Sequence, residues 1–337
     1  MKAVAYRQSH PITHPQALLD VELPEPQALG RDLLVEVKAV SVNPVDIKVR
    51  LAAAPAEGET RVLGFDAAGI VKAVGPDVTL FKPGDQVWYA GSRTRQGSNS
   101  EFQLVDERIV GHKPATLDFG RAAALPLTGI TAWELLFERL QVSRDKGRRG
   151  QTLLVVGAAG GVGSILVQLA RQLTGLNIVA TASRQETTEW VKQLGAHHVI
   201  DHSRPLDEEM QRLNLPQPDY VISLNQTEQH WPAIVKLVAP QGKIALIDDP
   251  LALNVMPLKP KSVSLHWESM FTRSMFDTAD MQKQHDLLND LAQLVDSGVI
   301  KTTLAERLGT INAANLKRAH ALLEGGRMKG KIVLEGF

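Results

Sequence analysis

The sequence has no cysteine among its 337 residues. That absence excludes disulfides, thiolate nucleophiles, iron-sulfur clusters and every zinc site that needs a thiolate. Neither sign of charge is in excess: Lys plus Arg and Asp plus Glu each count 37, and the pI is near 7.2. No global field would then gather nucleic acid or anionic lipid, and an aromatic content of 5% also argues against RNA. No run reaches the roughly 18 apolar residues of a membrane span, and the opening MKAVAYRQSH lacks the apolar stretch of a secretory signal. The expectation is a soluble, cytoplasmic protein with a small-molecule partner, no nucleic acid and no membrane. A formal net charge of zero leaves self-association electrostatically unopposed.

What is present reads as globular: 44% hydrophobic residues, 22% charged, 26 Gly and 18 Pro. The length exceeds the roughly 250 to 300 residues that one core organises, so two domains are expected. Up to about residue 120, short strands broken by Gly and Pro dominate: Leu33 to Val42, Ala67 to Gly75 and Lys82 to Tyr89. From about Leu125 strands alternate with helices, the mark of βαβ units and a parallel sheet. Six segments supply it, at Thr152 to Val156, Asn177 to Ala182, His197 to Ile200, Asp219 to Leu224, Lys243 to Asp248 and Ser262 to Trp267. Helical spacing then recurs at Gln284 to Gly298 and Ala313 to Gly326, and the strand-like KIVLEGF is expected to return to the first module. The expected division is 1–124, 125–266 and 267–337, the last part rejoining the first.

Between the strand ending at Val156 and a helix whose apolar positions include Ile165, Leu166, Leu169 and Leu173 lies GAAGGVGS. Gly157, Gly160 and Gly163, with Gly161 and Val162 between them, form a G-x-x-G-x-x-G variant of the dinucleotide fingerprint. A pyrophosphate needs backbone without a Cβ and a helix N-terminus with unpaired N–H groups. The acid that would select NAD, about 20 residues further on, is missing. Ser183 and Arg184 stand in its place, and a hydroxyl with a guanidinium suits the 2'-phosphate of NADP(H); the other reading of Arg184 is a solvated loop charge. His197 and His198 fall on opposite faces of a strand, so no metal site is expected there. His202 is read either as a neighbour of the 2'-phosphate or as a plain loop residue.

SVNPVDIKVR at Ser41 to Arg50, LGFDAAGIVKAVG at Leu63 to Gly75, FKPGDQVWYAG at Phe81 to Gly91, SEFQLVD at Ser100 to Asp106, LPLTGITAW at Leu125 to Trp133 and GKIVL at Gly330 to Leu334 follow one another in a recognisable order. In these segments the chain resembles the medium-chain dehydrogenase/reductases, and within them the zinc-free quinone oxidoreductase branch. The resemblance implies an α/β fold, a doubly wound parallel Rossmann sheet plus a β-rich GroES-like catalytic domain, with a cleft between the domains as the site. The zinc relatives have a Cys opening the segment that matches Asn43 to Asp46 and a Gly-His-Glu at Gly64. Here Asn43 and Phe65 replace the Cys and the His, while Asp66 replaces the Glu with another acid. No metal is therefore expected, and a zinc-dependent alcohol oxidation would lack its Lewis acid.

By the same resemblance, the expected activity is NADPH-dependent hydride transfer to quinones or α,β-unsaturated carbonyls. A conjugated acceptor spreads the new charge, so hydrogen bonds can replace the metal. Two alternatives stand beside it: reduction of simple aldehydes or ketones, and a non-catalytic, crystallin-like NADPH-binding protein. Asn43 would hold the acceptor oxygen, or merely fix the turn before Pro44. Lys48 stands where several relatives have Tyr and is read as a buried enolate stabiliser or an exposed lysine. Asp46 would orient neighbours, and Tyr89 would offer a phenol or pack in the core. Thr128 is expected on the nicotinamide side and Asn225 along the cofactor cleft. Phe271, Met275 and Phe276 would border the substrate pocket or pack in the core. A homodimer is implied, paired through the strand SVSLHW.

Overall fold

A computed structural model describes residues 1–52, 54–147 and 150–337. The chain forms two compact units, 1–130 with 271–337, and 131–270, so one division falls inside the helix Pro126–Trp133.

The first unit is β-rich. Its larger sheet has seven strands, centred on Asp32–Val42, which pairs antiparallel with Ala67–Val74, Phe102–Asp106 and the C-terminal strand Lys331–Glu335. Gln86–Tyr89 extends the sheet from Ala67–Val74, and Ala67 faces Tyr89 in register. The pairing is antiparallel except where Leu304–Arg307 runs parallel to Lys331–Glu335. A separate three-stranded sheet joins Leu19–Glu22, Lys2–Tyr6 and Arg61–Val62. Asp32–Val42 has Leu33, Val35, Ala39 and Val40 fully out of solvent, which explains its central place. The return of the tail brings Ile332 opposite Val42 and Val333 opposite Ser41. The C-terminus thereby lies beside the segment that begins at Asn43.

The second unit holds a six-stranded, all-parallel sheet. Its order is His198–Ile200, Asn177–Thr181, Thr152–Val156, Tyr220–Ser223, Lys243–Leu246 and Ser264–Trp267. This is the doubly wound arrangement, and the winding reverses between Thr152–Val156 and Tyr220–Ser223. Every residue of TLLVV is buried, as a parallel strand covered on both faces requires. The helix Gly161–Leu173 presses Ile165, Leu166 and Leu169 into the core. At this reversal point Gly157 and Asn225 meet just beyond the carboxyl ends of their strands, where doubly wound sheets bind ligands.

Candidate active site

In the second unit the three loop glycines have three different physical reasons. Gly157 has φ +82°, and a Cβ there would collide with the Asn225 carboxamide. Gly163 is buried where a Cβ would run into the backbone of Ala158, so it sets how closely the helix packs on its own loop. Gly160 differs: a Cβ there would find nothing nearer than the Gly157 carbonyl at 3.6 Å. The folded chain does not forbid a side chain at Gly160; an anion seated on the loop would. No side chain caps the helix beginning at Gly161, so the first-turn N–H groups of Gly161, Val162 and Gly163 suit a pyrophosphate. These features fit a dinucleotide.

Ser183 and Arg184 follow the end of Asn177–Thr181, both exposed, with Arg184 at the N-cap of Gln185–Leu194. Thr181 is fully buried and links them to the loop: its hydroxyl accepts from the Gly157 N–H at 3.1 Å and meets His202 Nδ1 at 3.2 Å. Thr181 thereby joins the Gly157 turn to His202. Burial, and then the nearby Arg184 charge, hold the His202 pKa below the ordinary value. His230 packs against it, ring centroids 6.3 Å apart. Arg184, His202 and His230 thus share one end of the loop. His197 is held elsewhere, accepting from the Ile178 N–H at 2.9 Å and contacting Arg171; it precedes the strand and does not alternate within it.

In the first unit the turn after Asp32–Val42 enters a buried polar cluster. Asn43, Asp46, Asp66 and Lys331 are all at least 96% buried. Asp46 accepts the Asn43 N–H at 2.8 Å and the Gly64 N–H at 2.9 Å. Asp66 accepts from the Leu127 N–H at 2.7 Å and from Asn43 Nδ2 at 2.8 Å, and pairs with Lys331 Nζ at 3.1 Å. Lys331 also donates to the Val42 carbonyl at 2.9 Å and to Asn43 Oδ1. Burial pushes the Asp46 carboxyl up to about 7 against the pull of the Asn43 N–H and Lys331. Burial likewise raises Asp66 and lowers Lys331. All three partners of Asp66 are donors and all three of Lys331 are acceptors, which is the pattern of an ionised pair.

The residues read from the sequence therefore separate. Asn43 and Asp46 lie in one network, but both amide hydrogens of Asn43 are already engaged, by Asp66 and by the Ser41 carbonyl at 3.3 Å. Lys48 is exposed on the helix Pro44–Ala52. Tyr89 is fully buried and its hydroxyl has no hydrogen-bond partner among the described residues; burial raises its pKa, so the phenol keeps its proton. Thr128 is buried and donates to the Leu125 carbonyl at 3.2 Å, one residue beyond the Leu127 N–H that binds Asp66. Phe271 is buried edge-on to Phe65 at 5.4 Å, whereas Met275 and Phe276 are exposed, so the three do not form one apolar cluster. Lys331, Thr181 and His230 were not singled out from sequence. A lysine inside the apolar strand KIVLE was the one available signal for Lys331.

The chemistry of the cluster does not fit zinc. It gathers an amide, two carboxylates and an ammonium with no imidazole among them, and the ammonium would repel a divalent ion. Among the described residues no group of three or more His, Asp or Glu could hold a metal. The first unit also carries a cavity of about 240 Å³, lined among others by Arg95, Asp106 and Arg108, which includes none of the candidate residues.

Comparison with known proteins adds lineage. Residues 30–125 match the alcohol dehydrogenase GroES-like domain and residues 194–334 a zinc-binding dehydrogenase family. A zinc-type alcohol dehydrogenase-like protein of Staphylococcus aureus is 40% identical over 99% of both chains. The crystal structure of a putative zinc-dependent alcohol dehydrogenase from Rhizobium etli is 60% identical, covers 100% of this chain and 98% of that one, and gives a TM-score of 0.96. An Escherichia coli quinone oxidoreductase complexed with NADPH is 25% identical, with a TM-score of 0.84 and coverage of 99% and 100%. From its two matched domains and its full-length relatives, this chain belongs to the medium-chain dehydrogenase/reductase superfamily of oxidoreductases.

Proposed function

We propose that this protein is an NADPH-dependent reductase of quinones or α,β-unsaturated carbonyls that works without a metal. The observation that carries the reading is the donor set of the first unit: hydrogen-bonding groups and a tethered ammonium, with no residue set that grips zinc. When bound, the nicotinamide supplies the hydride. The chain's own part is to bind the cofactor, orient the acceptor and hold the negative charge that develops on its oxygen. A conjugated acceptor delocalises that charge, and one preorganised donor contributes about 3 to 4 kcal/mol to an oxyanion.

Tyr89 is the donor we assign, because its hydroxyl is protonated and has no competing partner. An unpaired buried hydroxyl costs about 1 to 3 kcal/mol, which an acceptor oxygen would recover. Asn43 and Asp46 keep a role in shaping the site through their network, while Lys48 and Thr128 stay in reach of solvent and of Leu125 respectively. In the second unit Gly160, Gly161 and Val162 would cradle the pyrophosphate, Asn225 would border it beyond Gly157, and Ser183, Arg184 and His202 would take the 2'-phosphate. The relative complexed with NADPH supports a nicotinamide cofactor, and the basic residues favour the phosphorylated one. The edge strand Ser264–Trp267, with Trp267 56% exposed, would pair with its twin in a homodimer.

The test is NADPH consumption at 340 nm with a polycyclic ortho-quinone and an alkenal, before and after exhaustive chelation. We expect turnover to persist, and Tyr89→Phe to lower kcat at least tenfold with the NADPH KM held. Full loss on chelation would sink the metal-independent reading; a cofactor that binds without turnover on any acceptor would replace it with a binding role.

A further inference from the structure

Lys331 enters from the far end of the chain, 288 residues from Asn43 and 289 from Val42. Its side chain is 4% exposed, and the three ammonium hydrogens meet three oxygens of different kinds: a backbone carbonyl, a carboxylate and a carboxamide. Three convergent oxygens complement the three N–H donors of a positively charged ammonium. Here the cation is covalently attached to the last strand. Each acceptor belongs to a segment that carries candidate residues. Val42 and Asn43 lead into Asp46; Asp66 follows Gly64 and Phe65; and through Asp66 the contact reaches the Leu127 N–H, next to Thr128.

Two consequences follow from elementary electrostatics. Asn43 Oδ1 accepts from a group that is only a donor, and its Nδ2 donates to a group that is only an acceptor, so the carboxamide has one orientation. Without the ammonium, Asp46 and Asp66 would put uncompensated negative charge in a dry region of the unit where, on the reading above, an acceptor oxygen gains charge. Buried charges left unpaired are strongly unfavourable, and a developing anion beside them would be disfavoured as well.

We infer that Lys331 is the tethered cation of the candidate active site, a positioning residue that fixes Asn43 and Asp66 and supplies the positive charge that this family's zinc members draw from a metal. The inference rests on the metal-independent reading proposed above.

Two variants test it. Lys331→Met leaves Asp66 unpaired, and we expect a marked drop in thermal midpoint. Lys331→Met combined with Asp66→Asn removes both charges and should recover most of that midpoint. In this double variant we expect kcat with the ortho-quinone to stay at least tenfold below wild type, with the NADPH KM within twofold. A double variant whose kcat returns to within twofold of wild type would overturn the inference and leave Lys331 a structural ion-pair partner. If the wild type itself reduces no quinone or enal, the proposed function fails and Lys331 is judged on a second readout. NMR should find the Asn43 side-chain amide protons exchanging slowly in the wild type and at least tenfold faster in Lys331→Met, which keeps their Asp66 acceptor; unchanged exchange would refute the positioning role.

Discussion

His320 sits fully buried on the helix Ala313–Glu324, and neither ring nitrogen has a hydrogen-bond partner among the described residues. Burial, reinforced by the charge of the nearby Arg50, lowers its pKa to about 3. The folded value lies below the ordinary 6.5, so the stability carried by the neutral ring is fully present above about pH 6.5 and is lost as pH falls toward 3. Asp46 acts in the opposite direction: with its folded pKa raised to about 7, its contribution is present below about pH 4 and is lost as pH rises. The net profile mixes the two, and His320→Leu separates them. Urea unfolding at pH 7 and pH 4 should give a wild-type loss larger than that of the variant by on the order of 3 kcal/mol; equal losses would mean that the imidazole finds a partner. No reading of the sequence alone singles out this residue, because its helical position looks like any other and only burial, reinforced by the Arg50 charge, makes it costly to protonate.

At the scale of elements, the loop between Thr152–Val156 and Gly161–Leu173 was legible because its determinants are local: an apolar strand, spaced glycines and an amphipathic helix within about 20 residues. What the sequence could not assign is the separate duty of each glycine. Gly163→Ala drives a Cβ into the Ala158 backbone, and we expect a loss of about 1 to 3 kcal/mol in denaturant unfolding together with weaker NADPH binding. Gly160→Ala makes only an ordinary contact with the Gly157 carbonyl in the folded chain, so its stability should change by less than about 0.5 kcal/mol. Fluorescence titration should nevertheless give at least a tenfold weaker NADPH affinity. An unweakened affinity would remove Gly160 from the cofactor contacts. Strand ends were read less well: Ser262 to Trp267 shortens to Ser264–Trp267 because Ser262, at φ +52°, closes the preceding helical turn.

For the whole molecule, no helix among the described residues is long and apolar enough to cross a membrane. A ligand that binds the folded chain and not the unfolded one raises the apparent stability by mass action. At a hundredfold excess over Kd that gain is about 2.7 kcal/mol. Differential scanning should therefore find the melting transition raised by NADPH and raised less by equimolar NADH. In Arg184→Ala the NADPH advantage should disappear while the small NADH effect remains. An equal loss for both cofactors would withdraw Arg184 from the 2'-phosphate.

The sequence by itself determined the features that depend on neighbours in the chain: the βαβ rhythm, the glycine loop, the basic replacement at Ser183 and Arg184, and the loss of thiolate ligands. Tertiary structure decided the rest. The contacts of Lys331 with Val42 and Asn43, of Asp66 with Leu127 and of Thr181 with Gly157 join residues 289, 288, 61 and 24 positions apart, and the setting of the Tyr89 hydroxyl depends on strands that pair around it from elsewhere in the chain. Spacing along a chain predicts what lies on one face of one element, whereas a buried charge is set by the groups that folding brings from elsewhere.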